Sequence, residues 1–214
     1  MGVIINPRGT SGSGKTELVR RVLAQYGWRR GAGPEGAGGL ELIWRERRRR
    51  PLGYRLRHPL GGRPLAVVGH YEVTSGGCDT IRADDGGLGE IMRQAADYAA
   101  SGHDVLIEGQ RLSREYERSA ALARSHRLHV LRLTTPPHQC ARNLVWRRRA
   151  RRDSWPAVAA TVVVEHEMVA EACERLEQHA TVEALEFDLA FARAQDLLGI
   201  RQPAGRAWPA SSGD

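Results

Sequence analysis

The sequence predicts an α/β fold, a mainly parallel sheet covered on both faces in a three-layer α/β/α arrangement, with a hairpin insert and an arginine-rich segment. Three observations predict it. Apolar strand-like runs, VIIN, DVLIEG and LHVLRLT, alternate with amphipathic helical stretches, the pattern of parallel strands joined by crossover helices. The first run leads at once into the glycine-rich turn RGTSGSGKT, which opens a helix. The 214 residues, 41% of them hydrophobic, suit one domain with a real core.

In chain order, Gly2–Asn6 reads as a short buried strand. Thr16–Gly27 follows as a helix with Leu18, Val19, Val22, Leu23 and Tyr26 on one face. Gly31–Gly39 is a flexible breaker, and Leu40–Trp44 a strand running into the basic block Arg45–Arg50. GYRLRHP and RPLAVVGHY flank Leu60-Gly61-Gly62 as a hairpin, so that about residues 45–71 form a basic insert. Leu88, Ile91, Met92, Ala95 and Ala99 mark a helix ending near Gly102, and Asp104–Gly109 is the next strand. Ser113 is placed to cap a helix reaching about Ser125. Leu128–Thr134 is a strand, Pro136 or Pro137 starts a helix, and Pro156 stops the basic stretch WRRRARRDSWP. A long helix over about Ala160–Ala180, a strand over Thr181–Asp188 and a helix capped by Asp188 complete residues 1–200. Residues 201–214 read as a disordered tail.

Composition narrows the function. No apolar run approaches the roughly 18 residues of a membrane span, and the N-terminus lacks a signal-peptide pattern, so a cytoplasmic protein without membrane contact is expected. Cys78, Cys140 and Cys173 are odd in number and widely spaced, which suits reduced thiols rather than a disulfide framework or zinc site. The net charge of +7 and isoelectric point near 10.0 suit a polyanionic partner. Of 32 basic residues only Lys15 is lysine, a bias that a GC-rich genome produces.

That lysine lies in the segment Gly9, Thr10, Ser11, Gly12, Ser13, Gly14, Lys15, Thr16, which satisfies GxxxxGK[ST] at every position. Glycines let backbone N–H groups wrap phosphate oxygens, and the helix N-terminus behind them favours an anion. Lys15 is a compact charge on a long stem, suited to reach between β- and γ-phosphates where a planar guanidinium would not fit. Thr16 offers its hydroxyl to Mg²⁺. The motif thus predicts a nucleotide triphosphate, ATP, with Mg²⁺.

Glu108 ends the apolar strand VLIEG beside that loop, where a carboxylate would hold the water shell of Mg²⁺ or orient an acceptor hydroxyl. No separate Walker-B aspartate is visible, so Glu108 must stand in for it. HYEVTSGGCDTI offers Glu72, Thr74, Ser75, Cys78, Asp79 and Thr80 together. Asp79 is placed to take the proton from an attacking hydroxyl, and His70 and Tyr71 to stack on or bond a base. Arg45, Arg47, Arg48, Arg49 and Arg50, then Arg55, Arg57 and Arg63, form a strip longer than one mononucleotide needs, with Trp44 and Tyr54 among them as stacking candidates.

These pieces resemble the small P-loop (Walker A) kinases of the nucleotide- and sugar-kinase group. The resemblance rests on RGTSGSGKT, VLIEG, LHVLRLTTPPHQCARNLVWRRRARR and a last strand–helix pair. It implies that TPPHQCARNLVWRRR leads into a mobile lid, about residues 146–160, with Arg142, Arg147, Arg148, Arg149, Arg151 and Arg152 as candidates. Such arginines close over the triphosphate and stabilise charge on the transferred group. Arg147 and Arg151 are assigned here to the nucleotide and Arg148 to catalysis. The GGCDTI loop is similar to one in bacteriophage P-loop kinases, among them the 5-hydroxymethyluracil DNA kinases. This implies a kinase acting on a hydroxyl of a nucleotide or nucleic-acid base, best 5-hydroxymethyl-deoxyuridine in DNA. The alternatives are a small-molecule kinase for a nucleoside monophosphate or sugar, and a nucleotide-gated regulatory ATPase.

Overall fold

The computed structural model describes residues 1–31, 39–46, 48–74, 76–149 and 151–201. The expected disordered tail and most of the glycine-rich breaker lie outside them. Among the described residues, seven strands form one sheet: β1 (Val3–Arg8), β2 (Leu40–Ile43), β3 (Gly53–Leu56), β4 (Leu65–Val68), β5 (Asp104–Ile107), β6 (Arg127–Leu133) and β7 (Thr181–Leu185). Their order is β2-β3-β4-β5-β1-β6-β7. From β4 to β7 all pairs are parallel, while β2–β3 and β3–β4 are antiparallel.

Helices cover both faces, because alternate strand residues point to opposite sides. Val3, Ile5, Leu106, Leu131 and Leu133 pack towards α1 (Lys15–Gln25) and α7 (Phe187–Leu198). Ile4, Val105, Ile107, Leu128 and Val130 pack towards α2 (Gly87–Ala100), α4 (Glu117–Ser125) and the inner half of α6 (Trp155–Leu176). Short α3 (Gln110–Ser113) follows β5. α5 (Pro137–Arg148) packs on α6 through Cys140, Ala141, Leu144 and Val162. All three cysteines are free and buried.

Several local expectations change. Strand β4 is buried at all four residues and pairs with β5, so the expected hairpin insert is the antiparallel margin of the main sheet. An apolar LAVV run is more stable inside the sheet than on an appended arm. Ser113 caps no long helix. It closes α3, donating its hydroxyl to the Gly109 carbonyl (2.9 Å), while the Glu115 carboxylate accepts the Arg118 and Ser119 N–H groups that open α4 (2.6 and 2.9 Å). Pro156 begins α6 rather than ending anything, because its missing N–H costs nothing in a first turn. Glu186, not Asp188, precedes α7, and Asp188 lies inside its first turn.

Candidate active site

Parallel strands deliver their following loops to one end of the sheet, and there β1, β4 and β5 meet. Beyond β1, residues 9–14 turn tightly into α1. Gly12 and Gly14 have φ of +87° and +102°, a region that L side chains rarely enter. A Cβ on Gly12 would come 2.4 Å from the Cys140 carbonyl oxygen, and one on Gly14 3.0 Å from the Phe187 ring. The loop therefore follows the surfaces of α5 and α7 at a distance that glycine alone permits. Asn143 donates its amide to the Gly12 carbonyl (2.9 Å) and Thr135 its hydroxyl to that of Ser13 (3.0 Å). From α6, Glu165 accepts both the N–H and the hydroxyl of Ser11 (2.9 and 3.0 Å), and His166 Nδ1 lies 3.2 Å from the Thr10 hydroxyl.

Lys15 is nearly buried and donates to the carbonyls of Gly9 (2.7 Å) and Thr10 (3.1 Å). Burial pulls its pKa down, while Glu108, Glu165 and Asp79 act in the opposite direction. The Thr16 hydroxyl lies 3.3 and 3.4 Å from the two carboxylate oxygens of Glu108. Glu108 is 2% exposed. Burial lifts its pKa from 4.5 to about 7, with Lys15 opposing the rise and Asp79 adding to it. Gly77 approaches it so closely that a Cβ there would lie 2.4 Å from Glu108 Oε2.

Across the cleft, the carboxylate of Asp79 accepts the backbone N–H groups of Gln110 (2.6 Å) and Arg111 (3.3 Å), and Arg111 Nε lies 3.4 Å from it. Arg20, one turn beyond Lys15, holds the same loop by donating to the carbonyls of Tyr71 (3.1 Å) and Val73 (2.6 Å). Between these walls lies a cleft of about 950 Å³, the size of a small-molecule site. Its floor carries Lys15, Thr16 and Glu108, one wall Thr74, Asp79 and Arg111, and its far side Asn143, Trp146, Arg147, Arg148 and Phe187.

No protein-family model matches the chain. A 5-hmdU DNA kinase of Pseudomonas phage PaMx11 is 40% identical to it over 156 residues, 72% of this chain and 74% of that protein.

The chain belongs to the 5-hmdU DNA kinase family.

It is accordingly a phosphotransferase, and use of a nucleotide follows from that class. Among the described residues, no helix of the kinase is long and apolar enough to cross a membrane.

The structure gathers Ser11, Gly12, Gly14, Lys15, Thr16, Asp79, Glu108, Arg147 and Arg148 around one cleft. Gly9, Thr10 and Ser13 lie behind it as buried or braced parts of the turn. Arg151 is not among the lining residues. Its side chain is 90% exposed and lies 3.8 Å from Asp153. Ser75 and Arg47 lie outside the described residues, as does the side chain of Arg152. Two stacking expectations fail: Tyr54 and Tyr71 are at most 1% exposed, and the Tyr54 hydroxyl accepts the Tyr71 N–H and pairs with His70 Nδ1, both at 3.0 Å. His70 is buried with them. These aromatic rings are core, because β3 and β4 belong to the sheet.

Sequence reading missed Glu165, His166, Asn143, Arg20 and Arg111. Glu165 left the clearest trace, a carboxylate closing the apolar run TVVVE at a 5% exposed position. Asn143 and Arg20 carried no signal, since each acts on backbone carbonyls distant in sequence.

Proposed function

We propose that this P-loop kinase uses ATP and Mg²⁺ to phosphorylate the hydroxymethyl oxygen of 5-hydroxymethyl-deoxyuridine in DNA. The observation that carries the proposal is the meeting of the glycine-rich loop, Lys15 and a buried carboxylate on one floor, facing a polar acceptor loop. The phage relative, which is named for this acceptor, supports the choice of base.

The residues fit both groups. Gly12 and Gly14, at φ of +87° and +102°, let the loop backbone curl into the start of α1, whose first N–H groups have no carbonyl partner within the helix. The Thr16 hydroxyl is a hard oxygen donor, and Glu108, within 3.4 Å of it, would hold the metal's water shell rather than the metal itself. Magnesium binds through one or two such groups together with phosphates and water rather than in an all-protein cage. When bound, Mg²⁺ neutralises charge on the β- and γ-phosphate oxygens.

The chain's own residues then divide the work. Lys15 leaves the Gly9 and Thr10 carbonyls for phosphate oxygens. Glu108, with a pKa near neutrality, takes the proton of the hydroxymethyl group as its oxygen bonds to the γ-phosphorus and the bond to the β,γ-bridging oxygen breaks, releasing ADP. Asp79 has its lone pairs engaged by Gln110 and Arg111, which suits it to fix the acceptor wall better than to serve as base. Arg147 and Arg148, as lid residues, stabilise the equatorial oxygens. The test is transfer of labelled γ-phosphate to duplexes carrying 5-hydroxymethyl-deoxyuridine or thymidine at one position. Labelling of the first alone is expected, and equal labelling of both would refute the acceptor assignment.

A further inference from the structure

The basic strip expected along residues 45–63 is divided by the fold. Strand β2 ends at Ile43, opposite Gly53 on β3, which is opposite Val68 on β4. Val68 pairs with Ile107, the residue before Glu108. The β2–β3 connection, with Trp44, Arg45, Arg48, Arg49 and Arg50, therefore lies at the end of the sheet that carries the cleft. Arg57 lies beyond the other end of β3, next to the start of β4, and Arg63 lies 3.9 Å from Asp104 at the start of β5. Four strand residues, about 13 Å, separate the two groups.

Within the connection the arginines differ again. Arg45 lies 2.7 Å from Glu90 and donates to the Asp85 carbonyl (2.8 Å). Arg48 pairs with Asp85 and reaches the carbonyl of Thr80 (3.3 Å), the neighbour of Asp79. These two are spent on tying the connection to the acceptor loop. Arg49 and Arg50 are exposed, and among the described residues no side chain pairs with either. Trp44, in the same connection, is 55% exposed and lies over α2 with Arg45, Arg93 and Asp97; an exposed aromatic in one connection with unpaired guanidinium groups is the composition of a nucleic-acid surface. The exposed acids there among the described residues are Glu46 and Asp97, and Asp97 is paired with Arg93 (2.6 Å).

We infer that Trp44, Arg49 and Arg50 form a DNA-docking edge that holds the duplex flanking the modified base. This rests on the DNA acceptor proposed above. The edge lies three strands from β5, about 14 Å at about 4.8 Å per strand. One strand of DNA advances about 3.4 Å per nucleotide, so the edge meets phosphates roughly four nucleotides from the reacting base. Arg57 and Arg63 lie at the other end of the strands from this path and contribute only diffuse charge.

The test is fluorescence anisotropy with duplexes bearing one 5-hydroxymethyl-deoxyuridine, flanked on each side by either about ten or about two base pairs, lengths chosen around that four-nucleotide reach. Arg49→Ala/Arg50→Ala should weaken binding of the long duplex about tenfold and flatten the log–log salt dependence by roughly 1.8, two phosphate contacts' worth. Arg57→Ala/Arg63→Ala, with the same loss of charge, should stay within about twofold on the same electrostatic scale. Trp44→Ala should weaken the long duplex and not the short one, and the short duplex should not distinguish wild type from Arg49→Ala/Arg50→Ala. Equal loss in both double variants, or loss in neither, overturns the inference. Phosphate transfer is measured separately. A wild type that binds as described yet labels no DNA would count against the acceptor assignment and leave the docking edge standing.

Discussion

Glu108→Gln should cut turnover sharply and at the same time make the protein more stable at neutral and alkaline pH. Glutamine has nearly the volume of glutamate, so the close approach of Gly77 is preserved. What changes is the charge. A carboxyl moved by burial from 4.5 to about 7 corresponds to about 3 kcal/mol between its protonated and ionised forms. The folded state holds the proton more tightly than the unfolded chain, so this cost is absent below about pH 4.5 and grows as pH rises towards 7. Above that it is fully present, and a neutral glutamine escapes it. For a chain of this size the gain at pH 8 is on the order of 6–12 °C in Tm, as an upper bound because the substituted amide still leaves the Thr16 hydroxyl imperfectly bonded. Paired thermal melts from pH 4.5 to 8.5 check it, with the two proteins converging at the acid end. In turnover assays kcat should fall by about 10²–10⁴, the usual contribution of a general base. A variant as labile as wild type at pH 8, or one that keeps most of its activity, would refute the reasoning about this carboxylate.

The remaining predictions concern its neighbours. Wild-type kcat/KM should climb with pH, half-maximal near 7 where Glu108 is half ionised and level about one unit higher, and the Glu108→Gln remnant should lack that limb in a pH-rate series. Lys15→Arg should fail almost as completely as Lys15→Ala, because the guanidinium cannot enter the cradle; calorimetric ATP titration and transfer assays would show both losses. Arg147→Ala and Arg148→Ala should each lower kcat by about 10²-fold if they reach the transferred group, whereas Arg151→Ala, exposed beside Asp153, should change it little in the same assay. Thr16→Ser should retain Mg²⁺-dependent activity and Thr16→Ala lose it, read from activity against magnesium concentration.

How much of this was legible in the sequence depended on whether the signal was local. The loop at 9–16, the strands at β1, β5 and β6 and the helix start at Pro137 are written in consecutive residues, through glycine spacing, apolar runs and proline's fixed φ. That Lys15, Thr16 and Glu108 share the cleft's floor could be read for the same reason. The Asp79 wall could not, because its geometry comes from contacts between residues far apart: Asp79 with the start of α3, and Arg20 with the carbonyls of Tyr71 and Val73. The arginine strip misled for a related reason. Sequence shows charges as neighbours, whereas the antiparallel turn of β3 sends Arg49 and Arg57 to opposite ends of the sheet. Tyr54 likewise looked like a surface aromatic until β3 proved to be a sheet strand with that ring in its core.

The central claim, a kinase whose acceptor is a hydroxymethyl group on DNA, is tested most directly by mass spectrometry of nucleosides released from treated duplex. With ATP and Mg²⁺, 5-hydroxymethyl-deoxyuridine in the duplex should gain the mass of one phosphate, and Lys15→Ala should leave it unmodified. Phosphate found only on free nucleotides or on DNA ends, with the modified base unchanged, would contradict the account.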